Sequence, residues 1–413
     1  MKERFLTINC IVRKHQIEKT RTDFEGDDET ELHDTGSVER LAKIIRDGFP
    51  EARITWALSW CALIDASDRY RRIRALLGEY MKVHGDDVTF IPGGYFANRY
   101  NTREQVNRDV SDAFRIIEHE FGHKPRSLVA GFLSAANIKH AREQEGVIGV
   151  QGNIWSQFSV DNMDGDGSIC YPYYPSTQHF CKPAQGKADF IDCLNFDGWT
   201  VDFHQARLVG CRSARKNSRM GVGPIETLKN LGRAKGLAEM QATTTAHYEA
   251  SHDHNPFTWI TNNIEVALVK QVPAIDDITS WLSWMRERWP DVQCPALADL
   301  AGKIRSRFPD NGGLAYELHQ AGSGIGVSRR GVEITWHMNQ RFRLGIERGR
   351  HGGPKVFDYT RYDRDYAEPT GVGQRNWSLM GEINQKRTRK QDKPVKPGQL
   401  AGWQSIQVEI ERV

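Results

Sequence analysis

Short apolar runs alternate with amphipathic helical patterns along residues 1–300, and this alternation most constrains the fold. Seven runs have the length and composition of buried strands: 4–12, 53–60, 87–91, 127–134, 147–155, 189–196 and 237–245. Strands that are separated by helices pair in parallel through crossover connections, so an α/β protein is expected. Seven such strands over about 250 residues favour a closed or nearly closed (β/α) barrel over an open sheet.

The clearest helical pattern covers residues 102–121, where apolar side chains recur every three or four positions from Val106 onward. Asn101 can cap the amino end of this helix, and Gly122 ends it. Further helices are predicted at 37–47, 67–83, 137–145, 224–234, 277–289 and 296–307.

The pattern changes after the turn sequence 309-PDNGG-313. The following runs alternate apolar and polar residues with short turns between them, as antiparallel strands do. These strands are predicted at 314–320, 325–338 and 341–348. The sequence therefore predicts two domains, a barrel with trailing helices at 1–310 and a C-terminal antiparallel β domain at 311–413.

The charge balance argues against nucleic acid as a partner. The formal net charge is +3, because 56 Lys and Arg residues are nearly balanced by 53 Asp and Glu residues. Such a balance gives no overall basic field. The basic run at 385–393 is local, and a solvated loop is favoured over a phosphate site.

The seven cysteines include no C-x-x-C pair, which favours reduced thiols in a reducing compartment. The amino-terminal sequence lacks the long apolar segment and cleavage site of a signal peptide, so a cytoplasmic protein is expected. No apolar run reaches the roughly 20 residues that cross a bilayer, so no membrane partner is expected. The sequence does not determine the oligomeric state, and a homo-oligomer is one of the alternatives.

In a barrel of this kind the active site lies where the strands end at their carboxyl termini. The stretch 195-NFDGWTVDFHQAR-207 follows a predicted strand in this way. Asp197 is expected at the rim of the site as a catalytic carboxylate, with Trp199 contacting substrate. Asp202 is expected to begin the next helix and to orient the site, although a packed structural corner would have a similar sequence.

Other strand ends carry rings, amides and donors that suit sugar hydroxyls. A tight turn, buried structural amides or a packed lid would give the same patterns. The expected substrate-binding residues are Tyr95, Asn98 and Arg99 after the third strand, Asn153 and Trp155 at the end of the fifth, and Tyr173 in a YPYYP run.

The stretch 243-TTTAHYEASHDHNPF-257, interpreted as following the seventh strand, has three histidines, a glutamate and an aspartate within eight residues. Glu249 and His247 are predicted to be catalytic there. His252 and His254, together with Asp34 from the loop after the first strand, are a weaker prediction of a divalent-cation site. A solvated histidine-rich loop is the alternative, and no other cofactor is indicated.

The order of elements resembles the polysaccharide deacetylase superfamily, whose members share a distorted seven-stranded barrel and include metal-dependent sugar deacetylases and related glycoside hydrolases. The resemblance covers roughly residues 4–290 and is carried mainly by 103–155, which has the family's helix, G-x-x-P turn, strand, short helix and strand. The D-x-W pattern at Asp197 and Trp199, and His247, stand where the family places later motifs. A bacterial family of uncharacterised proteins with this barrel and a C-terminal β domain is similar as well.

The family's metal motifs are missing. The first strand reads 7-TINCIVR-13 in place of paired aspartates, and 93-GGYFANRYN-101 lacks the two metal-binding histidines. The standard metal site therefore cannot be carried over.

The resemblance implies a carbohydrate substrate, and a glycoside hydrolase is the leading prediction. Its carboxylate pair is expected to be Asp197 and Glu249, oriented by His247 and Asp202. One alternative is a metal-dependent carbohydrate deacetylase with a rearranged site. The other is a carbohydrate-binding protein without catalysis.

Overall fold

The computed structural model describes residues 2–153, 171–198, 200, 225–325, 328–373, 377, 379, 381–383 and 393–411. Its strands are β1 (Glu3–Val12), β2 (His15–Glu18), β3 (Phe24–Asp28), β4 (Thr55–Leu58), β5 (Asp87–Phe90), β6 (Ser127–Val129), β7 (Gly149–Asn153), β8 (Leu194–Asp197), β9 (Phe257–Glu265), β10 (Val292–Gln293), β11 (Tyr316–Ala321), β12 (Glu333–Met338), β13 (Phe342–Arg348) and β14 (Lys355–Arg361).

The helices are α1 (Thr35–Gly48), α2 (Trp60–Ile64), α3 (Asp68–His84), α4 (Ala97–Tyr100), α5 (Arg103–Phe121), α6 (Ala135–Glu145), α7 (Ile225–Leu231), α8 (Arg233–Thr245), α9 (Leu268–Gln271), α10 (Asp277–Arg288), α11 (Leu297–Arg307) and α12 (Trp403–Ile410). A π-helical turn, Ala246–Ala250, extends α8, and a 3₁₀ turn, His252–His254, follows it.

The strands form two parallel sheets and one antiparallel sheet. In the larger parallel sheet β1 lies between β9 on one side and β4 and β10 on the other, and β5 continues beyond β4. The second parallel sheet has the order β6-β7-β8. Strands β11 to β14 form a four-stranded antiparallel meander. The predicted α/β class, with parallel strands followed by a C-terminal antiparallel sheet, is confirmed.

Hydrogen bonds also join the edges of the two parallel sheets. Thr89 of β5 donates its hydroxyl to the backbone oxygen of Ser127 in β6 at 2.5 Å. On the other side Thr200, just after β8, accepts at its hydroxyl oxygen from the backbone N–H of Thr261 in β9 at 2.8 Å. The strand ladders of the two sheets remain separate, so they do not by themselves show one closed barrel.

Helix α5 shows how the local sequence sets an element. Thr102, and not Asn101, caps it, since the Thr102 side chain accepts from the backbone N–H of Gln105. At the other end Gly122 has φ 68°, the left-handed conformation that glycine adopts without strain. Val106 and Phe114 are on the face that is buried in the core.

The predicted strand at 237–245 is wrong, because these residues belong to α8. Two of its three threonines satisfy their hydroxyls within the helix: Thr244 donates to the Met240 oxygen at 2.7 Å, and Thr245 donates to the Gln241 oxygen at 2.9 Å. The strand that pairs with β1 is β9, about a dozen residues further along the chain.

One face of the antiparallel sheet packs against the parallel sheets. Tyr316, Leu318 and Trp336 alternate with more exposed residues and join the main hydrophobic core. A second, smaller core lies between β13, β14 and α12, where Leu344 and Ile406 are buried.

Within the described part of the chain, no helix combines the length and apolar character needed to cross a membrane. The five described cysteines, Cys10, Cys61, Cys181, Cys193 and Cys294, are buried and carry free thiols.

Candidate functional site

The inward-facing residues of β1 and β9 change from apolar to polar toward the carboxyl ends of the strands. Phe5 lies opposite Trp259 near the amino ends, whereas Asn9 lies opposite Asn263 further along. The same face of β1 continues to Arg13, directly after the strand. A polar group buried among strands destabilises the fold unless it is paired. The change from apolar to polar residues therefore indicates a candidate functional site at the carboxyl ends of the strands.

Three buried amides form what we call the amide network: Asn9, Gln151 and Asn263. The Asn9 Nδ2 atom donates to Gln151 Oε1 and to Asn263 Oδ1, both at 2.9 Å. Gln151 Nε2 in turn donates to the backbone oxygen of Asp197 at 2.8 Å. Among the described residues, Asn9 Oδ1 and Asn263 Nδ2 have no hydrogen-bond partner. The network thus presents an acceptor and a donor that no described group uses.

Arg13 stands above the amide network with its charge fixed by two carboxylates. Its Nε and Nη2 atoms donate to the two oxygens of Glu29 at 2.6 and 3.0 Å, and Nη1 donates to Glu265 at 3.1 Å. Burial would lower the pKa of the Arg13 guanidinium, but Glu265 and Glu29 outweigh burial and raise it. Glu265 is less buried than Glu29, with 23% of its side chain exposed against 4%. Glu265 is therefore the carboxylate that faces outward.

His33 supports this arrangement as a neutral imidazole. Its Nδ1 atom lies 3.0 Å from the Glu29 backbone oxygen, and its Nε2 atom lies 3.4 Å from the backbone nitrogen of Arg13. The imidazole then donates from Nδ1 and accepts at Nε2. Burial lowers the pKa of His33 to about 4, so the ring is uncharged at neutral pH.

Asp197 is the last residue of β8 and is buried. Alternation along β8 puts it on the face of Asn195, opposite to Phe196. The Phe196 ring packs against Trp259, 5.5 Å between centroids, on the inward side. Asp197 therefore lies at the carboxyl end of β8, on the outer face of that strand.

The loop after β5 is more tightly packed than its sequence indicates. Tyr95 is buried with φ 79°, a left-handed conformation that strains a non-glycine residue. Asn98 accepts from the backbone N–H of Ser134 at 2.7 Å. Arg99 is buried beside the aromatic rings of Phe96 and Tyr100.

Tyr173 was predicted to contact substrate, but the structure buries it. Its hydroxyl donates to the Phe180 backbone oxygen at 2.7 Å and accepts from Asn195 Nδ2 at 3.0 Å. The neighbouring Tyr171 stacks on Tyr316, 4.3 Å between centroids. The YPYYP run is therefore a packed segment between the sheets, and Tyr173 offers no free face.

Glu249 and His247 lie at the opposite end of the strands from Asp197. Both precede β9, so they lie near the amino ends of β9 and β1. Glu249 is half-exposed and pairs with Arg288 at 2.6 Å. His247 is buried, bonds through Nδ1 to the hydroxyl of Tyr316, and burial lowers its pKa to about 3. The structure therefore does not bring Asp197 and Glu249 together as a catalytic pair.

The predicted cation site of His252, His254 and Asp34 is also not assembled. His252 Nδ1 lies 3.3 Å from the Thr258 hydroxyl at the amino end of β9. Asp34 caps α1 near the carboxyl end of β1. It accepts from the Ser37 backbone N–H at 2.7 Å, and Lys270 Nζ lies 2.5 Å away. Burial would raise the pKa of Asp34, but these bonds outweigh it and lower the pKa.

Three predicted site residues lie outside the described residues: Trp155, Trp199 and Asp202. Only the backbone of Asn153 is described, and it pairs with Asp197 in the sheet. The central residues of the site, Asn9, Arg13 and Glu265, were not predicted. The sequence pattern could have shown two of them, because Asn9 in β1 and Arg13 directly after it interrupt an apolar run and have the even spacing of residues on one face of a strand.

These observations define the class of protein: an α/β protein with a polar, charged site at the carboxyl ends of its strands. Residues 1–338 match DUF3863, a domain of unknown function with a solved structure, and residues 343–410 match DUF3864, described in the same way. The chain belongs to the DUF3863 family.

One solved structure is similar over almost the whole length. It comes from Parabacteroides distasonis and is described as a "putative glycoside hydrolase/deacetylase". It is 37% identical with a TM-score of 0.93, over 99% of this chain and 97% of that chain.

Two further structures are much more distant. A "probable Polysaccharide deacetylase" from Pseudomonas aeruginosa PAO1 is 11% identical with a TM-score of 0.44, over 74% of this chain and 92% of that chain. A GH57-type branching enzyme from Pyrococcus horikoshii is 9% identical with a TM-score of 0.43, over 74% and 71%. Similarity at this level carries no argument about function. The comparison with curated proteins finds no significant match.

Proposed function

We propose that this protein is a hydrolase acting on a carbohydrate, with its site at the carboxyl ends of β1, β7, β8 and β9. The observation that carries the proposal is the amide network beside the Arg13–Glu265 pair. An amide both donates and accepts, as a sugar hydroxyl does, and two amide atoms of the network are left unpaired by the described residues. The description of the Parabacteroides distasonis protein supports the same class of substrate.

The proposal includes the shape of the site. We infer that β1, β4, β5, β6, β7, β8 and β9 form a distorted seven-stranded barrel, because bonds from Thr89 to Ser127 and from Thr261 to Thr200 link the two parallel sheets at both edges. The amide network then lies inside the barrel. We further propose domains at 1–310 and 311–413.

Within this class we favour glycoside hydrolysis, which needs one carboxyl as acid and another as base or nucleophile. Glu265 replaces Glu249 in the proposed pair because it is at the same end of the strands as Asp197 and is partly exposed. The pair requires the Asp197 carboxyl to act over the rim, since its position in β8 is on the outer face. Arg13 would orient Glu265 through its 3.1 Å contact. His33 has both ring nitrogens engaged, so its role is to hold Arg13 and Glu29 in place.

The test uses the purified full chain with oligosaccharides of N-acetylglucosamine, since each unit contains both a glycosidic bond and an acetyl group. Release of new reducing ends reports glycosidase activity, and release of acetate reports deacetylase activity. We expect reducing ends without acetate. We expect Glu265→Gln to lower the rate by about 10²- to 10⁴-fold, the range for losing a general acid or base. Asp197→Asn is measured beside it.

The matched comparison is Glu249→Gln, which changes the same functional group at the other end of the strands and should keep the wild-type rate. Loss of activity in Glu249→Gln with full activity in Glu265→Gln would contradict the assignment. Sugar binding without either product would instead identify a carbohydrate-binding protein, and acetate alone a deacetylase.

A further inference from the structure

A group of histidines around one carboxylate lies where the antiparallel sheet meets the turn before β9. We call His254, Glu317 and His319 the histidine cluster. Glu317 and His319 are two residues apart on β11, so both side chains are on its outward face. His254 reaches them from the 3₁₀ turn. The cluster is thus distinct from the strand-end site, and its chemistry is independent of the proposed function.

The ligand atoms of the cluster converge. One nitrogen of each imidazole and one oxygen of Glu317 all lie within 4.8 Å of one another. His254 Nδ1 is 3.3 Å from Glu317 Oε1, and His319 Nε2 contacts the same oxygen. The imidazole rings of His254 and His319 are 4.5 Å apart between centroids. A single ion placed among these atoms would replace contacts that now converge on one oxygen.

The surrounding groups orient each ligand. His319 Nδ1 lies 3.3 Å from the Thr335 hydroxyl, which leaves Nε2 directed at the cluster. His337, opposite Glu317 in the ladder, lies 3.1 Å from the other carboxylate oxygen. Partners of this kind fix the tautomer of a ligating histidine and the rotation of a ligating carboxylate.

The turn that carries His254 is tied to the free edge of β11. Asn255 Nδ2 donates to the Glu317 backbone oxygen at 2.7 Å, and Asn255 Oδ1 accepts from the Glu317 N–H at 2.8 Å. The Ser251 hydroxyl accepts from the His319 N–H at 2.8 Å. The backbone holding all three side chains is therefore positioned by hydrogen bonds that involve none of the ligand atoms.

We propose that the histidine cluster binds one divalent transition-metal ion of the zinc type. Two imidazole nitrogens and one carboxylate oxygen are a common three-ligand set for zinc. About half of the His254 side chain is exposed, with 49% of its surface open to solvent, so an ion can enter and a water molecule can complete the coordination. The ion would join the turn before β9 to the C-terminal sheet.

The test is isothermal titration calorimetry of the chelator-treated full chain with zinc chloride. We expect one saturable site. The dissociation constant for zinc should rise at least tenfold in each of three variants, His254→Gln, Glu317→Gln and His319→Gln. The matched control is His351→Gln, an exposed histidine on the turn between β13 and β14, which should bind like the wild type.

A thermal unfolding experiment keeps the proposal testable if one variant folds poorly. Zinc should raise the unfolding midpoint of the wild type and of His351→Gln, but not that of His254→Gln, whose residue is on an exposed turn. The proposal is overturned if the wild type shows no saturable binding, which would make the cluster an ion-pair group only. It is equally overturned if His254→Gln and His319→Gln bind zinc as tightly as the wild type.

Discussion

The ionisable groups at the two ends of the parallel strands differ in how far they are exposed to solvent. At the carboxyl ends Arg13 is 8% exposed and is held by Glu29 and Glu265. At the amino ends the ion pair of Glu249 with Arg288 is about half exposed, and the histidine cluster is open to solvent at His254. Buried charges persist only when their partners are fixed, so the carboxyl end is the preorganised one. The amino end has room for an ion to enter.

The difference between the two ends also shows why a dense group in the sequence misleads. The stretch 247–254 contains three histidines, a glutamate and an aspartate. Yet His247 is buried, Glu249 is in a surface ion pair and His254 is in the histidine cluster. The strand-end site draws instead on Asn9 and Arg13 and on Glu265, which is 252 positions beyond Arg13 in the sequence. Proximity in the fold, and not in the chain, determines the site.

The largest expected effect on stability separates the two arginine pairs. Arg13→Met should lower the free energy of unfolding by about 3–5 kcal/mol, because it leaves Glu29 buried without a counter-charge. Arg288→Met breaks a solvent-exposed pair and should lower it by no more than about 1 kcal/mol. Urea unfolding of both variants measures the difference. Equal losses would mean that the two ends do not differ in preorganisation.

An effect that is smaller for each residue concerns pH and should be shared by both ends. The pKa of His33 is lowered to about 4 and that of His247 to about 3, both by burial. An unfolded histidine titrates near 6.5, so below that pH the unfolded chain binds protons that the folded chain excludes. Stability should therefore fall as the pH is lowered from about 6.5 toward 4, by about 3 kcal/mol for His33 alone.

The measurement is urea unfolding between pH 7 and pH 4 for the wild type, His33→Gln and His247→Gln. Each variant should show a flatter dependence of stability on pH than the wild type. A wild-type slope in both variants would contradict the assignment of these histidines as buried and neutral.

The smallest effect tests whether Asp34 belongs to either site. Asp34→Ala should cost about 1 kcal/mol of stability through loss of the α1 cap, and it should leave zinc affinity unchanged. Calorimetric unfolding and zinc titration of this variant check both statements. Loss of zinc binding would mean that the metal site includes a carboxyl-end residue and that the two ends are not separate.

Much of the fold could be predicted from local sequence. β1 is a mostly apolar run, and α5 has a helical repeat ending at Gly122, so both were predicted with nearly correct bounds. The antiparallel strands β11 to β13 were predicted from their alternation. These elements depend on nearest neighbours and on which face is buried, which a sequence shows directly.

The site could not be predicted in the same way because one strand was misassigned. Thr243 to Thr245 resemble a strand, yet the helix satisfies two of their hydroxyls internally. β9 was missed because Thr261 and Asn263 put polar groups on its inward face, and that removes the usual apolar alternation. Placing the strand before His247 instead of after it moved Glu249 to the wrong end of the sheet.

A crystal of the full chain soaked with zinc chloride and an N-acetylglucosamine oligosaccharide tests the central claim most directly. We predict sugar density beside Asn9, Asn263 and Glu265, and an anomalous zinc peak between His254, Glu317 and His319. Sugar bound at the amino ends of the strands, or zinc bound beside Arg13 and Glu265, would contradict the division of the molecule into a carbohydrate end and a metal end.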